Sequence, residues 1–168
     1  NVVDIPEVIG FGESGNSQFL VLSFIRENAP SKHYWEKLGQ QLAMLHRVTN
    51  QLYGLDHNNY IGSLKQSNEQ DTSWVKFFIE QRLQIQVKLA SDSGLLELEW
   101  LKKFELFYTT LPSLLPEEQP SLLHGDLWSG NVMVNEKGDP CLIDPAVYFG
   151  HREADLAMTQ LFEMFNRE

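Results

Sequence analysis

In the stretch SLLHGDLWSGNVMVNEKGDPCLIDPAVYFG, three polar residues stand at spacings that suit one reaction: Asp126 in His124-Gly125-Asp126, then Asn131, then Asp144. Val132 to Val134 and Cys141 to Ile143 read as short strands paired around the turn NEKGDP. Such a hairpin brings Asn131 and Asp144 together, with Asp126 nearby. Moving a phosphoryl group from ATP to a hydroxyl needs a carboxylate that faces the hydroxyl and takes its proton. Magnesium, which bridges the phosphates, takes oxygen ligands of the kind that Asn and Asp supply. Asp126 then reads as the base, and Asn131 and Asp144 as the metal ligands. A polar loop capped by its own Asp and Asn is the plainer alternative. A metal hydrolase built on His124 and Asp126 is another, but His33, His46, His57 and His151 are scattered rather than set at ligand spacing.

Protein kinases arrange these residue types in the same order, H-R-D-x-x-x-x-N and then a metal-binding Asp. The elements that must position them can be read along the chain. Glu7 to Phe11 and Phe19 to Ile25 are apolar and β-rich around ESGNSQ, which predicts a strand pair. Ser31 is placed to cap a helix whose face carries Trp35, Leu38, Leu42, Leu45 and Thr49. YGLDHNNYIGSLKQSN reads as a long loop. A second helix is expected over Ser73 to Ala90, with Trp74, Phe77, Phe78, Ile85 and Leu89 as its apolar positions. A third is expected over Leu95 to Leu111, its aromatics Trp100, Phe104, Phe107 and Tyr108 in the core, ended by the prolines of LPSLLPEEQP. A last helix begins near Glu153 and carries Leu156, Leu161, Phe162 and Phe165. A strand pair followed by helices with one hairpin among them is an α+β plan, not alternating βαβ.

Gly10, Gly12 and Gly15 spell G-x-G-x-x-G, a spacing associated with phosphate-binding loops. A dinucleotide fingerprint needs a helix after the glycines; here a strand follows. A kinase glycine loop does lie between strands but is followed by a strand lysine, and the first lysine is Lys32, at a helix start. The glycines are expected to serve a turn.

The 168 residues fit one domain or one large lobe, and 42% of them are hydrophobic. A net charge of −10 argues against a general nucleic-acid binder. Cys141 is the only cysteine, which excludes an internal disulfide framework and suits a reducing compartment. With no signal peptide and no long apolar run, a cytoplasmic location without membrane contact is expected.

The segments LLHGDLWSGNVMV, LIDPAVYFGHREADLAM and NNYIGSLKQSN, with W--FF---RL after the last, resemble the fructosamine kinase family from about Ile5 to Phe162. That family, also called ketosamine-3-kinases, is related to aminoglycoside phosphotransferases and choline kinases. Trp128 and the Asp-Pro-Ala at Asp144 are what distinguish the match from those relatives. The resemblance implies a protein-kinase-like fold, with ATP and Mg2+ as cofactors and a free or protein-bound ketosamine as partner. It also implies phosphorylation of the sugar 3-hydroxyl, which leads to deglycation. A kinase of another hydroxyl-bearing amine, and a non-catalytic nucleotide-binding remnant, are the alternatives. Residues 1–25 would then be the last small-lobe strands and hinge, and 26–168 a helical large lobe. The first strands with their lysine, and the closing helices, are expected to lie outside this stretch, which alone should turn over poorly or not at all. Ser23, Phe24 and Ile25 become the hinge that meets adenine. Asn59, Tyr60, Gln66 and Asn68 line the acceptor side, and Trp128 either packs on the sugar or buttresses the loop. His124 and Asp155 support the catalytic loop. Pro145 is expected to hold Asp144 in an extended backbone.

Overall fold

The computed structural model describes residues 3–161 as a mixture of helices and small antiparallel sheets. The chain opens with strands β1 (Val8–Ser14) and β2 (Ser17–Leu22), paired antiparallel with Ser14 opposite Ser17. The turn between them is tighter than ESGNSQ suggests, because Gly15 takes a φ of +60°. The side chains of this hairpin are largely exposed: Phe11 is 81% accessible and Ile9 66%.

Helix α1 (Tyr34–Leu45) starts after His33, not Ser31, whose hydroxyl instead donates to the Asp139 carboxylate. Its buried positions are Tyr34, Leu38 and Leu42, whereas Trp35 faces outward. The expected long loop contains a hairpin, β3 (Asn59–Ile61) with β4 (Leu64–Gln66). The predicted second helix is present but interrupted. Ser73 caps α2 (Trp74–Phe78), a π-helical turn follows over Ile79–Leu83, and α3 (Gln84–Asp92) continues the axis.

Helix α4 (Leu98–Leu114) runs through Pro112 and stops before Pro116, later than expected. A proline in the last turn removes only one intrahelical hydrogen bond, so the helix ends where the second proline arrives. Tyr108 and Leu111 are its buried residues, while Trp100 and Phe107 stand on its open side, contrary to the expected core placement.

Two further sheets flank the loop that carries Asp126 and Asn131: β5 (Ser121–Leu123) pairs with β8 (Tyr148–Gly150), and β6 (Val132–Val134) with β7 (Pro140–Leu142). The second pair is the hairpin expected from sequence; the first joins partners distant in the chain, which local sequence pattern does not reveal. Helix α5 (Glu153–Leu161) buries Asp155 and Thr159, with Leu156 and Leu161 exposed; Phe162 and Phe165 lie outside the described residues.

The buried apolar residues form two clusters. Tyr53, Trp74, Phe77, Leu123 and Tyr148 pack β5 and β8 against α2. Leu38, Leu42, Leu127 and Leu142 pack α1 against β7 and against the residue that follows Asp126. The loop is thus anchored in both cores. Phe77 is 1% exposed, with ring contacts to Trp74 and Tyr148. Phe77→Ala should therefore lower the unfolding free energy by about 3–5 kcal/mol in urea titrations; a loss under about 1 kcal/mol would contradict this role for the cluster.

Candidate functional site

The loop between β5 and β6 is held from beneath by one carboxylate. Asp155, 1% exposed, accepts hydrogen bonds from the backbone N–H groups of His124 and Gly125, both at 2.9 Å. His46 Nε2 donates to the same carboxylate at 2.9 Å. Three donors satisfy a charge that burial alone would make costly. His46, one of the histidines scattered in the sequence, stands at the end of α1 and belongs to this frame.

His124 has its tautomer set by its neighbours. Its Nε2 lies 2.9 Å from the carbonyl of Ile143, which can only accept, and its Nδ1 lies 3.3 Å from the N–H of Asp126, which can only donate. The ring is therefore neutral with the proton on Nε2. Burial lowers its pKa, outweighing the nearby carboxylate of Asp155. Gly125 takes a φ of +82°, and a Cβ there would lie 2.1 Å from the Ala146 carbonyl oxygen. Only glycine allows the segment after Asp144 to approach the loop so closely.

Leu127, 1% exposed, points into the core and so fixes the residues on either side of it. Asn131 Nδ2 donates to the Asp126 backbone carbonyl at 2.8 Å and to its carboxylate at 3.0 Å, and approaches the Asp144 carbonyl at 3.4 Å. The three residues singled out by spacing are thus brought together. Asp144 itself is exposed. It is not extended as expected before proline: its φ is +50°, the one positive value among described non-glycine residues. Contacts on both sides override the local preference. The Ile143 N–H donates to the Asn131 carbonyl at 3.0 Å, and the Ala146 N–H to the His124 carbonyl at 2.9 Å. A left-handed residue costs on the order of 1–3 kcal/mol, which the surrounding contacts offset.

Asp144 lines a cleft of about 960 Å3, and Ser23, Phe24 and Ile25 stand in its wall together with Met133 and Leu142. That volume lies within the ordinary range for small-molecule sites. Ser23 is already engaged: its N–H donates to the Glu7 carbonyl at 2.8 Å, and its hydroxyl accepts from the Glu7 N–H at 2.9 Å. Of the three residues expected at the hinge, Ser23 thus has its N–H and hydroxyl engaged by Glu7. Cys141 is buried on β7, and burial pushes its thiol up to about 11, which leaves it unreactive.

Three of the four residues expected on the acceptor side, Asn59, Gln66 and Asn68, have their amides engaged within the chain. Asn59 Nδ2 donates to the Val147 carbonyl at 2.8 Å, and its Oδ1 accepts from Gln66 and Asn68, both at 2.9 Å. Gln66 also donates to the Ala146 carbonyl at 3.0 Å. Asn68, 1% exposed, donates to the His57 carbonyl at 3.1 Å and accepts from Arg82 at 2.8 Å. These amides brace the chain after Asp144; Tyr60 alone of the four is exposed. The Trp128 ring lies over Gly130, where a Cβ would come within 2.4 Å of it, and is 39% exposed.

Among the described residues no group of three or more His, Cys, Asp or Glu is set to hold a metal ion. Magnesium does not need one, since it takes one or two carboxylates together with phosphate oxygens and water. The carboxylate of Asp144 and the amide oxygen of Asn131 are hard oxygen donors of that kind. No helix among the described residues is long and apolar enough to cross a membrane.

The neutral state of His124 carries a pH consequence. Its pKa is lower in the folded chain than its ordinary value of 6.5, so below pH 6.5 the unfolded chain gains a proton that the folded chain resists. Stability should fall as pH drops from 7.5 towards 5, and His124→Asn should reduce that slope in thermal melts. An unchanged slope would contradict the assignment.

The family model for fructosamine kinase matches residues 1–168. A "Probable ketoamine kinase" of Enterococcus faecium is 38% identical over 168 residues, covering 99% of this chain and 60% of the relative. A protein of the same description from Vibrio parahaemolyticus is 38% identical over 172 residues, covering 100% of this chain and 58% of its own length. A crystal structure described as that of a "putative fructosamine-3-kinase" from Thermobifida fusca aligns with a TM-score of 0.86 at 34% identity, covering 95% of this chain and 54% of that one. The chain thus spans less than two thirds of the length of these relatives.

Proposed function

We propose that this chain, which belongs to the fructosamine kinase family, carries the transfer site of an ATP-dependent kinase. Its acceptor is a sugar hydroxyl of a ketosamine, and its role is deglycation. The observation that carries the reading is that Asn131 hydrogen-bonds to both Asp126 and Asp144, and that Asp144 lines a cleft whose wall includes Phe24 and Ile25. The fold is read as protein-kinase-like, with that wall as the hinge.

The roles follow from the contacts. Asp126 is the base: it orients the acceptor hydroxyl and takes its proton as the oxygen bonds to the γ-phosphorus and the bond to ADP breaks. Asn131 spends its amide N–H groups on Asp126, which steadies that carboxylate and leaves the amide oxygen as the group offered to a cation. Asp144 offers its exposed carboxylate to the same ion. Bound Mg2+ would supply neutralisation of the charge on the phosphate oxygens. Phe24 and Ile25 offer backbone groups to the adenine edge. Tyr60 and the exposed part of Trp128 are left to meet the sugar, with Trp128 resting on Gly130.

The test uses the full-length gene product with ATP, Mg2+ and a fructosyl-amine. Asp126→Asn should lower kcat by about 10²–10⁴ while ATP affinity is retained. Near-normal turnover in that variant would overturn the base assignment, and no phosphorylation by the unsubstituted protein would overturn the function.

A further inference from the structure

The π-helical turn Ile79–Leu83 interrupts an otherwise regular helix. Such insertions concentrate at functional positions because they re-aim a side chain. Here the turn carries Arg82. The guanidinium lies over the rings of Phe77 and Tyr148, at 4.7 and 4.1 Å from their centres. Its N–H groups donate to the carbonyls of Ser67 and Gln81 and to Asn68 Oδ1. These are neutral partners: the charge is spent on fixing amides.

From Arg82 the hydrogen bonds run in one direction. Arg82 donates to Asn68 Oδ1, Asn68 Nδ2 donates to Asn59 Oδ1, and Asn59 Nδ2 donates to the Val147 carbonyl. Gln66 joins at Asn59 and donates to the Ala146 carbonyl. Arginine has only donors and the two carbonyls only accept, so the orientation of every amide between them is determined. The far end holds Ala146 and Val147, and Pro145 is all that separates them from Asp144. The proline ring locks φ, which removes one of the backbone rotations that could absorb movement between Ala146 and Asp144.

We infer that Arg82 is a positioning residue for the Asp144 carboxylate, acting through Asn68 and Asn59. The inference rests on the reading of Asp144 as a metal ligand given above. Residues that orient metal ligands typically change metal affinity by about 10–100-fold when replaced. Arg82→Lys keeps the charge but cannot reproduce the fork. Asn59→Leu cuts the chain of hydrogen bonds at its far end without touching Arg82.

The test measures Mn2+ affinity by electron paramagnetic resonance in the presence of ADP, and ADP affinity without metal by calorimetry, in the full-length gene product. Both variants should bind Mn2+ at least about tenfold more weakly, with metal-free ADP affinity unchanged. The inference is overturned by Mn2+ affinity within about twofold of the unsubstituted protein in both variants. It is equally overturned by metal-free ADP affinity and melting temperature falling in step with Mn2+ affinity, since that is the signature of a general loss of structure. Absence of Mn2+ binding in the unsubstituted protein is a separate result, and overturns the kinase reading itself.

Discussion

The buried carboxylate of Asp155 is the constraint from which the rest of the site follows. It holds two consecutive backbone N–H groups of the loop and the ring of His46 at once, and it does so from α5, an element remote in sequence from both. With the loop backbone fixed at His124 and Gly125, the His124 ring reaches the Ile143 carbonyl, and its backbone carbonyl receives the Ala146 N–H. The segment around Asp144 is thereby tied to the segment around Asp126. The left-handed backbone at Asp144 is the cost of meeting those constraints together.

Two polar systems meet on this segment. The frame of Asp155, His46 and His124 supports it from the loop side, and the amides of Asn59, Gln66 and Asn68 hold it from the β3–β4 side. Buried networks of this kind specify one arrangement because each unpaired member would be costly. The apolar clusters supply the adhesion, and the polar systems decide which arrangement is adopted.

The proximity of the proposed site residues is legible in the sequence because such chemistry restricts them to a few residue types at short spacing. Asp126, Asn131 and Asp144 lie within one hairpin and its approach, so local reading brings them together correctly. The bracing residues were not legible in the same way. Asn59, Gln66 and Asn68 have the composition of a ligand-binding loop, and only their non-local partners reveal that their amides are occupied. The β5–β8 pairing and the π-turn at Arg82 were missed for the same reason. The aromatics of α4 misled differently: Trp100 and Phe107 have the period of a buried face but stand on the open side of the helix.

The most direct test of the account is phosphorus NMR of the full-length gene product with ATP, Mg2+ and an equimolar mixture of a fructosyl-amine, an aminoglycoside and choline. The account predicts that the γ-phosphoryl group appears as a monoester on the sugar of the fructosyl-amine. Transfer only to the aminoglycoside or choline, or release as inorganic phosphate with no monoester, would contradict it.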